Sequence, residues 1–175
     1  MTSPALSPLA RVLACTGFAE DWYRWCDAKR DWAAEATGTY EDDSLLTASG
    51  GFAALTVGEF MRAYRAAGAK VSRGSTGRRS FTVEVAEGPT VCGLAVRLGR
   101  GLNSQECRLA VLADGERQGE PEMLHALALA IRRSQGEPDP NPPYPRPIIG
   151  SRSQLEVVSR GIVDALGQVA RGWAS

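Results

Sequence analysis

Between Ser80 and Leu112 the chain alternates apolar and polar residues in three successive runs, and this pattern limits the possible folds more than any other feature. Phe81, Val83 and Val85 alternate with Thr82, Glu84 and Ala86, the period of two that sends one set of side chains to each face of a β-sheet. Glu87-Gly88-Pro89 turns the chain. A second run, Thr90 to Leu98, puts Cys92, Leu94, Val96 and Leu98 on one side. A third, Glu106 to Leu112, does the same with Cys107, Leu109 and Val111. The loops between the runs carry Gly, Pro and Asn, so the pattern predicts an antiparallel meander.

A chain of 175 residues is long enough to bury one core without disulfides or metal. The expected architecture is a single α+β domain over residues 1–175, its meander of three to four strands covered by N-terminal and C-terminal helices. Its parts are a helical region over 8–67, the meander over 70–112 with Lys70-Val71-Ser72 as an edge strand, and helices over 121–134 and 153–173. The two last helices are joined by a proline-rich strap over 138–147.

Capping chemistry sets the helix starts. Ser7-Pro8 is a cap followed by proline at the first helical position, and Thr16-Gly17 interrupts the helix it opens. Phe18, Trp22, Trp25, Lys29 and Trp32 then recur at helical spacing, a tryptophan-rich stripe suited to packing on a sheet. Thr56 to Glu59 is a capping box, with Gly68 as the stop of its helix. Pro121 is expected to open the helix carrying Leu124, Leu127 and Ile131. Ser153 to Glu156 is expected to start the last one. There Leu155, Val158, Ile162, Leu166, Val169 and Trp173 form a narrow seam, while Gly161, Gly167 and Gly172 weaken the helix by about 1 kcal/mol each relative to Ala. Such a helix needs cover from the domain's own sheet or from another chain, a second copy in a homodimer included.

Several chemistries are disfavoured. The loop from Arg73 to Arg79 is rich in Gly and Arg but lacks the lysine of a Walker loop and precedes a strand. There is one histidine, His125, read as a rim residue, and no spacing suggests a zinc site around it. Cys15, Cys26, Cys92 and Cys107 form no CxxC pair; Cys92 and Cys107 lie on consecutive strands and read as inward-facing thiols. No nucleophile elbow, metalloprotease helix or dinucleotide turn is present. No cofactor and no metal is therefore implied, and an enzyme is the least favoured reading.

Lys plus Arg equals Asp plus Glu at 20 each, so no overall field attracts nucleic acid or membrane. Residues 1–60 nevertheless hold nine acids against four bases, and residues 61–133 twelve bases against seven acids. The sequence carries no membrane-length apolar run and no basic-then-apolar N-terminus, which points to the cytoplasm.

Two functions follow as expectations. The first is a non-enzymatic protein-binding protein, such as an adaptor, secretion chaperone, or inhibitor or immunity protein, with Trp22, Trp25, Trp32, Glu41, Asp42 and Asp43 as contact candidates. The alternative is a nucleic-acid-associated protein using Arg73, Arg78, Arg79, Arg97, Arg100 and Arg108 as a basic stripe.

Overall fold

The computed structural model describes residues 5–26, 55–74, 77–99, 104–140, 146–147 and 149–173. Trp32, Glu41, Asp42, Asp43 and Arg100 lie outside these residues, as do residues 141–145 of the proline-rich strap.

The fold is α+β, as the alternation requires. β1 (Lys70–Arg73), β2 (Ser80–Glu87), β3 (Thr90–Leu98) and β4 (Gln105–Ala113) form an antiparallel meander. Two short strands, β5 (Glu116–Arg117) and β6 (Glu122–Met123), both pair with β4 and make the sheet six-stranded. The sequence pattern gave no sign of these two, because a two-residue strand has no period to detect. The β4–β5 turn is Asp114-Gly115, both with positive φ (52° and 79°), the conformation that tight hairpin turns need.

Among the described residues five helices accompany the sheet: α1 (Pro8–Ala14), α2 (18–26), α3 (Val57–Ala66), α4 (Leu124–Ser134) and α5 (Arg152–Trp173). Ser7 caps α1, its Oγ accepting the Ala10 N–H at 3.1 Å. Thr56 and Glu59 complete the capping box of α3, and Gly68 (φ 99°) follows that helix. Two boundaries differ from expectation. Pro121 does not open α4, because Glu122 and Met123 extend to pair with Leu109 and Arg108 before the helix begins. Ser153 does not cap α5. Ser151 does, its Oγ accepting the Gln154 N–H at 3.2 Å while Gln154 Oε1 accepts the Gly150 N–H at 2.7 Å. Ser151-x-x-Gln154 satisfies the same capping pattern two residues earlier, and burial of Ile149 just ahead of it decides the register.

All the described helices contribute to one core on one face of the sheet. α5 lies over β2 and β3, α4 over β4, and α3 against β1, β2 and α5, while α1 packs on α4 and α5. Phe81, Val83, Cys92, Leu94, Val96, Cys107, Leu109 and Val111 all point into this layer and are buried. The seam of α5 is thus covered by the chain's own sheet, with Leu155, Val158, Ile162, Leu166 and Val169 all buried. Its glycines are explained in part by packing: a Cβ at Gly161 would stand 2.7 Å from Cη2 of Trp25, whose ring lies across the helix.

Cys92 sits opposite Val111 and Cys107 opposite Val96, so the two thiols are offset along the sheet and both are free.

Candidate functional site

No described helix packs on the opposite face of the sheet. Thr82, Glu84 and Ala86 on β2, Val91, Gly93, Ala95 and Arg97 on β3, and Glu106, Arg108, Ala110 and Leu112 on β4 alternate with the core residues, and none of them is buried. Register arranges them in rows: Val91 faces Leu112, Gly93 faces Ala110, Ala95 faces Arg108, and Arg97 faces Glu106. The middle of the face is small and apolar at Gly93, Ala95 and Ala110; the end at Arg97 and Glu106 is charged, and the end at Ala86, Val91 and Leu112 is apolar.

At one end the arginines converge. The β1–β2 turn is held down on β2, since the Gly74 N–H donates to Ser80 O at 3.1 Å, and the Ser80 N–H and Oγ–H both donate to Gly77 O, at 3.2 and 2.9 Å. A Cβ at Gly74 would fall 2.7 Å from Ser80 Oγ and 3.1 Å from the Ser80 carbonyl carbon, so only glycine lies this flat. Leu98 N–H then donates to Arg79 O at 2.9 Å, drawing Arg78 and Arg79 beside the end of β3. Arg97 stands opposite Ser80 on one side and Glu106 on the other. Arg146 reaches in from beyond α4, its guanidinium 4.0 Å from the Glu106 carboxylate. These groups line a cavity of about 480 Å³.

The cavity is cationic. Among the described residues Glu106 is its one acid beside four arginines, and Arg78, Arg79 and Arg97 have no ion-pair partner there. Arg108 is diagonal to Arg97 on the same face, a separation of about 7–8 Å between neighbouring strands. His125, half-buried in the first turn of α4, is held below its usual pKa by burial first and then by the Arg146 charge, against a smaller opposing effect of Glu106. Its imidazole is therefore neutral at pH 7.

The predicted basic stripe is thus divided by the sheet. Arg97 and Arg108 stand on the open face, Arg78 and Arg79 lie in the turn that lines the cavity with Arg97, and Arg73 is opposite Phe81 and belongs to the edge of the helix-covered side. Arg146, absent from the sequence reading, completes the group. The signal for it was weak, since it stands in a proline-dense segment that reads as a tether. Of the tryptophans expected to touch a partner, Trp22 is 1 % exposed, its ring 5.6 Å from Phe18 and 6.4 Å from Trp25. Trp22 is a core residue and offers a partner nothing, because this stripe packs between α2 and the rest of the helical layer.

A second cavity, of about 540 Å³, lies between α3 and α5. Its charges are mixed, with Arg62, Arg152 and Arg160 beside Glu59 and Glu156, and Arg152 is bound to Glu59 at 2.8 Å.

The buried thiols are unsuited to nucleophilic work. Burial pushes both Cys92 and Cys107 up to about 12, which keeps them protonated at neutral pH. Among the described residues no three His, Cys, Asp or Glu side chains gather closely enough to hold a metal ion, and no helix is long and apolar enough to cross a membrane. No family model, curated protein or solved structure matches the chain.

Proposed function

We propose that this chain is a non-enzymatic protein-binding protein of the cytoplasm, of the adaptor, chaperone or inhibitor kind, and that its partner docks on the open face of the sheet. One observation carries the reading: a sheet face, small-residued at Gly93, Ala95 and Ala110, is not covered by the described helices, which pack on the other side. An apolar area bordered by polar and charged residues is the usual anatomy of a protein interface. The sheet's edges are less suited, because β1 exposes Lys70 and Arg73 along its four residues, and edge charge of this kind blocks strand addition. The cysteines form no disulfide with one another, which suits a reducing compartment.

The test is capture from extracts of the source cell. Ala95→Arg puts a bulky charge in the middle of the face at an exposed position, where surface changes cost roughly 0.5 kcal/mol or less. Val157→Arg does the same on the helical layer, where Val157 is 59 % exposed. Loss of the captured protein with the first variant and retention with the second is the expected result, with both melting like the parent. Equal capture by both variants would refute the reading. Light scattering on the purified parent identifies a second copy of the chain if that is the partner.

A further inference from the structure

The arginine-lined cavity at the end of the open face is better built for one kind of ligand than for the others an arginine cluster attracts. We infer that it receives an acidic segment of the docking protein, carboxylate side chains entering between Arg97, Arg146 and the Arg78-Arg79 turn. This deepens the protein-binding reading and rests on it.

Three observations argue for carboxylates. First, the guanidinium groups of Arg78, Arg79 and Arg97 have no carboxylate partner among the described residues, and Arg146 reaches Glu106 only at 4.0 Å. Guanidinium presents a fork of donors that matches a carboxylate in bidentate geometry, and among the described residues no carboxylate fills the forks of these three. Second, the turn that carries Arg78 and Arg79 is fixed by the Gly74–Ser80 and Leu98–Arg79 backbone hydrogen bonds, so part of the ordering that binding needs is already in place. Third, the cationic area is short. It ends at Arg108, and the next row carries Glu84, held by Lys70 at 2.8 Å.

The last point weighs against nucleic acid. A single strand needs a cationic groove that follows its backbone and aromatic side chains on which bases stack. Here the cationic groups occupy one cavity of about 480 Å³. The described aromatic residue on the meander, Phe81, faces the helices and is 1 % exposed. No described aromatic side chain stands on the open face to receive a base. Glu106 in the floor of the cavity would also oppose a phosphate carrying more than one charge, while a carboxylate bound by two or three arginines tolerates it.

The experiment uses the full chain and two labelled probes, a hexaglutamate peptide and a thymidine oligonucleotide of similar charge, followed by fluorescence anisotropy at low and moderate salt. Saturable peptide binding is expected, weakened about tenfold or more by Arg97→Gln combined with Arg146→Gln, and likewise by Arg78→Gln combined with Arg79→Gln. The two pairs stand on different segments, so misfolding of one leaves the other as the test. Peptide binding that is absent, or unchanged in a folded variant, would overturn the inference. So would tighter binding of the oligonucleotide with a steep salt dependence, which would make the cavity a phosphate site. Partner capture that survives both arginine pairs but is lost with Ala95→Arg would sink the acidic-segment assignment alone and leave the docking face standing.

Discussion

Gly161 and Gly167 stand on the same helix, and the structure assigns opposite signs to the same substitution at the two positions. In a helix interior, Gly→Ala gains about 1 kcal/mol from backbone entropy. At Gly167 the added Cβ would meet Arg171 Nη1 at 3.5 Å and Val85 Cγ1 at 3.9 Å, ordinary contacts that leave this gain intact. At Gly161 the Cβ would stand 2.7 Å from Cη2 of Trp25 and closer still to Cζ2. Either the indole or α2 must shift, and forced overpacking of this kind costs about 1–3 kcal/mol. Gly167→Ala is therefore expected to raise Tm by about 2–4 °C, the shift that about 1 kcal/mol produces in a domain of this size. Gly161→Ala is expected to leave Tm unchanged or lower it by several degrees. Thermal and urea unfolding followed by circular dichroism measures both, and the Trp25→Ala background supplies the control. With the indole removed, Gly161→Ala becomes stabilising, a coupling that a double-mutant cycle reads directly. Equal stabilisation by the two glycine substitutions in the parent would mean that Trp25 does not lie on α5, and the docking of α2 described above would be wrong.

Leu94→Asp, which buries a carboxylate at a fully enclosed position of the central strand, is expected to cost several kcal/mol and abolish folded protein; a variant that melts like the parent would reverse the two sheet faces. Tyr64→Phe removes the 2.7 Å hydrogen bond from Tyr64 Oη to Gln105 Oε1, and because Gln105 Nε2 already has no partner, the amide is left wholly unsatisfied. The expected loss is about 1–3 kcal/mol in urea unfolding, and no loss would show that the buried pair contributes nothing. Glu59→Gln keeps the shape of the α3 capping box and removes its charge. The Glu59 carboxyl is held below its usual range by hydrogen bonds from Thr56, the backbone N–H first. Its folded pKa is thus depressed, so its contribution is complete above the ordinary carboxylate value of about 4.3 and fades as pH falls through the lower folded value. The stability gap between parent and variant should be full at neutral pH and shrink as pH falls below the ordinary carboxylate value, and a gap independent of pH would contradict the assignment.

The meander was legible in the sequence to within a residue at each strand end, because a period of two over eight or nine residues admits one register. Ser7 and Thr56 were legible for a different reason, since their side chains close hydrogen bonds within four residues and need no tertiary partner. What escaped depends on distant contacts. Glu122 and Met123 become a strand only because β4 offers Leu109 and Arg108, and the choice of Ser151 over Ser153 rests on burial of Ile149. The site divides in the same way. The basic turn at Arg78 and Arg79 was visible as composition. That Arg97 and Arg108 join it while Arg73 turns to the other side follows from which face of each strand meets the helices, and β1 is too short for its own pattern to settle that. Arg146 comes from a segment whose course over the surface no local rule fixes.

The docking face can be tested most directly by thiol labelling in the complex. Cys15 is the exposed native cysteine, so in a Cys15→Ser background a maleimide probe reads a single introduced position, Ala95→Cys on the open face or Val157→Cys on the helical layer. With the captured partner bound, the labelling rate at Ala95→Cys is predicted to fall about tenfold or more while that at Val157→Cys stays as in the free chain. Protection at Val157→Cys with undiminished labelling at Ala95→Cys would place the partner on the helices and contradict the account.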